Sequence, residues 1–311
     1  MKVLKVTFAV VVAIGPSLSQ AMCPDVSRGE KAEDCPWAEI TRQIVDAKKE
    51  CVQELSAQTP LLLKQLKKDG KSRNFIELWG QAKNFDEGAK LTIVDPKILS
   101  CLALQWGLAE PTKYTDKQSH TFEIVHAGLQ HTYAYLFSNI QTPYGFKRAR
   151  WVRNDLQMGF GLADSLNPQT THGTFFSNIT YFFASLAFAD DARLLLRLRD
   201  EAKKTGSVSS ELLRFDSRPL EIHSLSEPLA KKDLSVHTTL VKFSHPNPGT
   251  KNTHLLIYWT EDQKTHTKKL ITGFPVEQGF VDKLLSQKNS KTQTPVNPRY
   301  NAWVPGVSEN Y

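Results

Sequence analysis

The sequence predicts an α+β fold, with a helical N-terminal part and a central helix packed with a C-terminal antiparallel sheet. Three observations carry that expectation. Up to Gly107, apolar residues recur at helical spacing between Pro, Asp and Gly boundaries. Within His120–Arg153, the residues Phe122, Val125, Leu129, Tyr133, Leu136 and Ile140 fall on one face of a helix. From Val236 the period shortens, and VHTTLVKF, HLLIYW and KKLITGF read as strands separated by polar turns.

Residues 1–21 have the pattern of an export signal. Lys2 and Lys5 precede a short apolar run from Val6 to Gly15, and Ser19 and Ala21 offer small side chains for cleavage before Met22. The run is shorter than the ~20 residues a membrane span needs, so the mature chain carries no transmembrane segment. Met22 before Cys23 is not the small residue that a lipid anchor requires. The expected location is therefore secreted or periplasmic. The whole chain has a net charge of +7, which falls to +5 once Lys2 and Lys5 are removed. A mildly basic exported protein suits an anionic ligand or a cell-envelope polymer.

Cysteine usage agrees with export. Cys23, Cys35, Cys51 and Cys101 make an even number in an oxidising compartment, as disulfides require. Residues 36–55 read as one helix, with Ile40, Ile44, Val45 and Val52 as its stripe. Cys35 and Cys51 would then stand ~24 Å apart along its axis, too far to bond. Two pairings remain: 23–35 with 51–101, or 23–51 with 35–101. The first closes the shorter loop and is preferred. The chain lacks CxxC, and the cysteine spacings do not suit zinc.

More helices follow in the segment 22–110. Thr59-Pro60 opens one over LLLKQLKK that Gly70 stops, residues 72–84 offer another, and Asp95-Pro96 opens a last one ending at Gly107. Lys64, Lys67, Lys68, Lys71 and Arg73 read as a solvated basic face. Residues 111–287 form the α+β core. Residues 110–118 read as a connector into the central helix, expected as one element over 120–139. Its outer face would hold His120, Glu123, His131 and Ser138. Gly128 costs only ~1 kcal/mol in a helix interior, and the alternative of a hairpin turning at Ala127-Gly128 is set aside because the apolar spacing persists. Residues 174–188 are aromatic-rich core. Asp190 or Asp191 caps a helix through Leu194, Leu195 and Leu198 that Gly206 stops. The meander occupies 236–274, with further edge strands near 211–225 and a helix at 277–286 lying on the sheet. Residues 288–311 are a polar tail whose Trp303 and Tyr300 suggest a docked end.

The chemistry-bearing residues cluster around the central element. His126 and His131, with Lys147 and Arg148, have the types needed for acid–base cleavage of a phosphodiester. Tyr144, Arg150, Trp151 and His172 would bind ligand, since cations interleaved with aromatics hold phosphate or stack on a ring. Glu123 and His126 could share a metal if they lie three apart on a helix, but HExxH is absent. Gly159 and Gly161 do not complete a dinucleotide fingerprint, and no cofactor is expected. The leading expectation is an exported binding or envelope-associated protein with an anion-binding surface. The alternative is a secreted hydrolase acting on a phosphodiester or polymeric substrate.

Overall fold

The computed structural model describes residues 36–47, 50–86, 90–116, 119–138, 140–142, 145–146, 175–214, 221–229, 234–243, 253–276, 279, 281–282 and 302–303. The fold is α+β, as expected.

The N-terminal helices are α1 (Pro36–Asp46), α2 (Cys51–Gln58), α3 (Pro60–Asp69), α4 (Arg73–Glu77) and α5 (Pro96–Trp106). The single helix expected over 36–55 is instead two. Lys97 explains the break, because its ammonium donates to the carbonyls of Val45 at 2.9 Å and Ala47 at 2.8 Å. Those carbonyls at the end of α1 are satisfied by a charged side chain rather than by another turn. The chain then restarts at Cys51, which bonds to Cys101 on α5 with Cα atoms 6.1 Å apart. Cys23 and Cys35 lie outside the described residues. The boundaries of α3 and α5 follow the sequence signals: Pro60 opens α3, the Asp95 carboxylate accepts from the Lys97 amide at 2.9 Å, and Gly107 takes the left-handed conformation with φ 61°.

The element expected at 72–84 is helical only as far as Glu77. Beyond it Leu78 and Gly80 exchange backbone hydrogen bonds with Leu270, both at 2.7 Å. The chain continues as β1 (Gln81–Lys83), followed by the short pair β2 (Phe85–Asp86) and β3 (Leu91–Thr92).

The central helix is corrected. Residues 121–126 are a strand, β5 (Thr121–His126), paired on one side with β1 and on the other with β4 (Thr112–Thr115). The expected connector therefore contains a strand. After Ala127 the chain coils into a π-helical turn, Leu129–Tyr133, and a 3₁₀ turn, Ala134–Phe137. The apolar residues were nevertheless the right ones to bury: Phe122, Val125, Leu129, Tyr133, Leu136 and Ile140 are all in the interior. Thr121, Ile124 and Val125 are β-branched, and two flanking ladders outweigh the helical spacing. Gly128 is needed for close approach rather than tolerated in a helix. A Cβ there would come within 2.4 Å of the Phe176 ring and 3.0 Å of Trp79.

Short strands β6 (Gln141–Thr142) and β7 (Gly145–Phe146) pair next. Helix α6 (Phe175–Ala187) is the aromatic-rich segment, packed against β9, β10 and β11 and against the π turn. Asn178 within it is only 1% exposed. Asp191 caps α7 (Ala192–Thr205) by accepting from the Leu194 amide at 3.0 Å, and Gly206 ends it with φ 57°. A short α8 (Ser210–Arg214) follows.

The meander forms as read, and the edge strands expected near 211–225 are met by one at 221–229, whereas 210–214 are helical. Strands β8 (Glu221–Leu229), β9 (Leu234–Phe243), β10 (Thr253–Asp262) and β11 (Lys268–Val276) make an antiparallel sheet in the order β11-β10-β9-β8. A second sheet has the order β12-β1-β5-β4, where β12 (Ala302–Trp303) is the returning tail. Trp79 opposite Leu270 bridges the two sheets. Within the helix expected at 277–286, residues 279, 281 and 282 are described and helical, and Val281 packs on the sheet beside Val276. Among the described residues, no helix is long and apolar enough to cross a membrane.

Candidate functional site

Of the expected catalytic and ligand-binding residues, His126 and His131 fall among those described. His131 is 4% exposed, and its Nδ1 lies 2.7 Å from the Tyr135 hydroxyl and 3.1 Å from that of Thr272. It fastens the π turn to β11 and does not face outward. Ser138 is likewise buried, whereas His120 is exposed beside Asp116. His126 ends β5, and burial pulls its imidazole down to about 4, with the Lys269 charge adding to the effect. Its Nδ1 is buried without a hydrogen-bond partner among the described residues. Glu123 and His126, three apart on a strand, point to opposite faces and cannot share an ion. Tyr144, Lys147, Arg148, Arg150, Trp151 and His172 lie outside the described residues.

The structure instead assembles a cleft from three segments distant in sequence. It has a volume of about 500 Å³ and is walled by α4, the start of α7 and the turn from β10 into β11. Asn74, Glu77 and Leu78 come from the α4 side. Asp191, Arg193, Leu194 and Arg197 come from α7, and His266, Thr267, Lys268 and Lys269 from the turn and β11.

Each wall is fixed locally. In α7, Leu198 and Ala202 are completely buried, so the helix presents Arg193 and Arg197 together on an exposed face, four residues apart. Arg197 lies within electrostatic reach of Glu201, one turn further along the helix. The α4 wall is tied to α7 because the Asn74 amide donates to Glu201 at 3.2 Å and its side chain donates to the same carboxylate. The turn is organised by Asp262. Its carboxylate accepts from the amides of Lys264 and Thr265, each at 2.9 Å, and its carbonyl accepts from His266 at 2.7 Å. His266 itself is left-handed, with φ 55°.

The two lysines are held differently. Lys268 donates to both oxygens of Asp190, at 3.0 and 3.1 Å, and lies over the rings of Phe188 and Trp259. That pairing holds the Asp190 carboxyl below its ordinary range. Lys269 donates to the Glu77 carbonyl, and burial pulls its ammonium down against the opposing charge of Glu77. Around the cleft, Arg193, Arg197, Lys268 and Lys269 meet the carboxylates of Glu77 and Asp191, with Asp190 beside Lys268 and Glu201 within electrostatic reach of Arg197. Asp191 is already engaged as the cap of α7. The two exposed guanidinium groups on one helical face form a donor set suited to an oxyanion.

Parts of this site were visible in the sequence. Arg193 and Arg197 interleave with the leucines that bury α7, and Lys268-Lys269 opens the last strand of the meander. Nothing in the one-dimensional spacing joins residues near 75, 195 and 267. A smaller cavity of about 110 Å³ lies between α5 and β5, lined by Leu99, Ala103, Leu108, Ile124, Val125 and His126 among others. Its walls are mainly apolar, and it lacks the charge of the first.

Comparison with known proteins finds no matching family model, no matching characterised sequence and no matching solved structure.

Proposed function

We propose that this is an exported binding protein that holds an anionic ligand in the cleft between α4, α7 and the β10–β11 turn. The observation that carries the reading is the pair Arg193 and Arg197, exposed on one helical face and lining the same cleft as Lys268 and Lys269. Bidentate hydrogen bonds from guanidinium groups suit phosphate, sulfate or carboxylate oxygens. The export pattern of residues 1–21, the basic charge and the Cys51–Cys101 disulfide support a working place outside the cytoplasm.

The test has two parts. Protein recovered outside the cytoplasm of expressing cells should begin at Met22; an intact N-terminus would remove the export reading. Calorimetric titration with inorganic phosphate, glycerol phosphate and a sulfated polysaccharide should find a ligand whose binding weakens with salt. Arg193→Ala and Arg197→Ala should each weaken it by about ten- to a hundredfold, with the melting temperature unchanged. Equal binding by the double variant would exclude the cleft.

A further inference from the structure

Behind the cleft, one carboxylate serves two imidazoles. Glu261 Oε1 lies 3.5 Å from His266 Nδ1, and Glu261 Oε2 lies 3.5 Å from His237 Nε2. The histidines differ in setting. His266 is largely exposed and lines the cleft. His237 stands on β9 opposite Trp259, and its ring stacks on the indole with centroids 3.8 Å apart and planes 8° apart. The same indole lies beneath Lys268, which carries Asp190 on its far side. Imidazole, carboxylate, imidazole, ammonium and carboxylate thus form one connected group in the wall of the site.

We infer that the cleft takes its oxyanion in a proton-linked manner, binding it more tightly in mildly acid solution because His266, and behind it His237, gain charge there. The inference rests on the cleft reading above and adds its regulation. The charged groups around the two rings come from every neighbouring element. Glu261 and Asp262 come from β10, Lys268 and Lys269 from β11, and Lys264 from the turn between them. Arg193 and Arg197 come from α7, Asp191 from its cap, Glu77 from α4, and Asp190 from the loop before α7. Imidazole is the side chain whose ordinary titration falls between pH 5 and 8. The Glu261 carboxylate stands between the two rings, and its field opposes an incoming anion. As the rings take protons, that negative charge is matched and His266 becomes a further cation of the cleft. Burial holds His237 below its ordinary value against the pull of Glu261, so its proton arrives in more acid solution.

The probe for the test is naphthalene-1,5-disulfonate, whose charge is fixed between pH 5 and 8, so the protein alone supplies any pH dependence. Its affinity should increase about threefold to tenfold from pH 7.5 to 5.5 at physiological salt. His266→Asn keeps a residue that tolerates the left-handed backbone and should remove most of that increase. Glu261→Gln should tighten binding at pH 7.5. In the unaltered protein, saturation with the probe should move the His266 titration, followed by NMR, to higher pH by the reciprocal amount. Binding that depends on Arg193 but is equal at both pH values, with an unmoved His266 titration, would overturn the proton linkage and leave the cleft standing. No binding at either pH would overturn both.

Discussion

The phenol of Tyr133 donates to the carboxyl of Asp69, and neither side chain is exposed at all. Gln65 at 2.9 Å and Ser177 at 3.1 Å complete the donors around that carboxyl. The contact joins the last turn of α3 to the π turn and to α6. Burial pushes the Asp69 carboxyl up to about 7, against the lowering effect of its three hydrogen bonds. The same burial raises the Tyr133 phenol well above its ordinary range.

Asp69 therefore makes stability depend on pH with a defined sign. The folded protein keeps a proton that the unfolded chain releases above an ordinary value of 3.8. Its contribution is full below that value and is lost as pH rises towards 7. Asp69→Asn should abolish this component, measured as the difference in urea midpoint between pH 4.5 and 7.5. A variant with the slope of the unaltered protein would show that Asp69 titrates normally.

His126 acts in the opposite sense. Its folded value of about 4 lies below the ordinary 6.5, so its contribution is present above 6.5 and lost as pH falls towards 4. The two slopes oppose each other in mildly acid solution. His126→Gln should leave a protein whose stability rises on acidification, and Asp69→Asn one whose stability falls. Parallel pH profiles for the two variants would rule out this opposition.

The Cys51–Cys101 bond spans 50 residues and ties α2 to α5. Chain entropy alone assigns such a cross-link about 4 kcal/mol. The double variant Cys51→Ala, Cys101→Ala should lose about 2–4 kcal/mol in denaturant titration. Thiol titration of the unfolded, unreduced protein should find neither cysteine free. A reactive Cys51 or Cys101 in that experiment would contradict the pairing.

Gly273 sits in β11 directly beneath Phe183 of α6. A Cβ there would fall 2.2 Å from the ring. Gly273→Ala must displace the ring or the strand, and overpacking of this kind costs about 1–3 kcal/mol. Gly206→Ala provides a contrast, because its Cβ would meet nothing within 4 Å and its penalty comes from the positive φ alone. Loss of the Phe183 contact should appear in near-ultraviolet circular dichroism for Gly273→Ala and not for Gly206→Ala.

Local chemistry was enough to read much of the chain. Pro60, Asp95 with Pro96, Gly107, Asp191 and Gly206 mark helix ends because caps and left-handed residues satisfy backbone groups within a few positions. The strands of the meander were legible because alternation with period two is also local. Burial was legible too: Phe122, Val125, Leu129, Tyr133 and Leu136 are interior, as their spacing implied.

Tertiary structure decided how that interior is reached. Residues 121–126 satisfy a helical period, yet β1 and β4 offer their backbone two ladders, and strand pairing wins over the local preference. That choice turned Glu123 and His126 to opposite faces, while the following coil carried His131 inward to Tyr135 and Thr272. The break after α1 likewise came from a distant ammonium, that of Lys97. The cleft depends on the same long-range pairing. Leu270 binds Leu78 and Gly80, Glu201 binds Asn74 and Asp190 binds Lys268, and such contacts bring Arg193 and Arg197 to the same cleft as Lys268 and Lys269. The sequence by itself determined the helix ends that caps and left-handed residues mark and the apolar side chains that leave water, since those follow from neighbours in the chain. Which charged residues meet was decided by backbone partners far apart in sequence, whose hydrogen bonds no local period encodes.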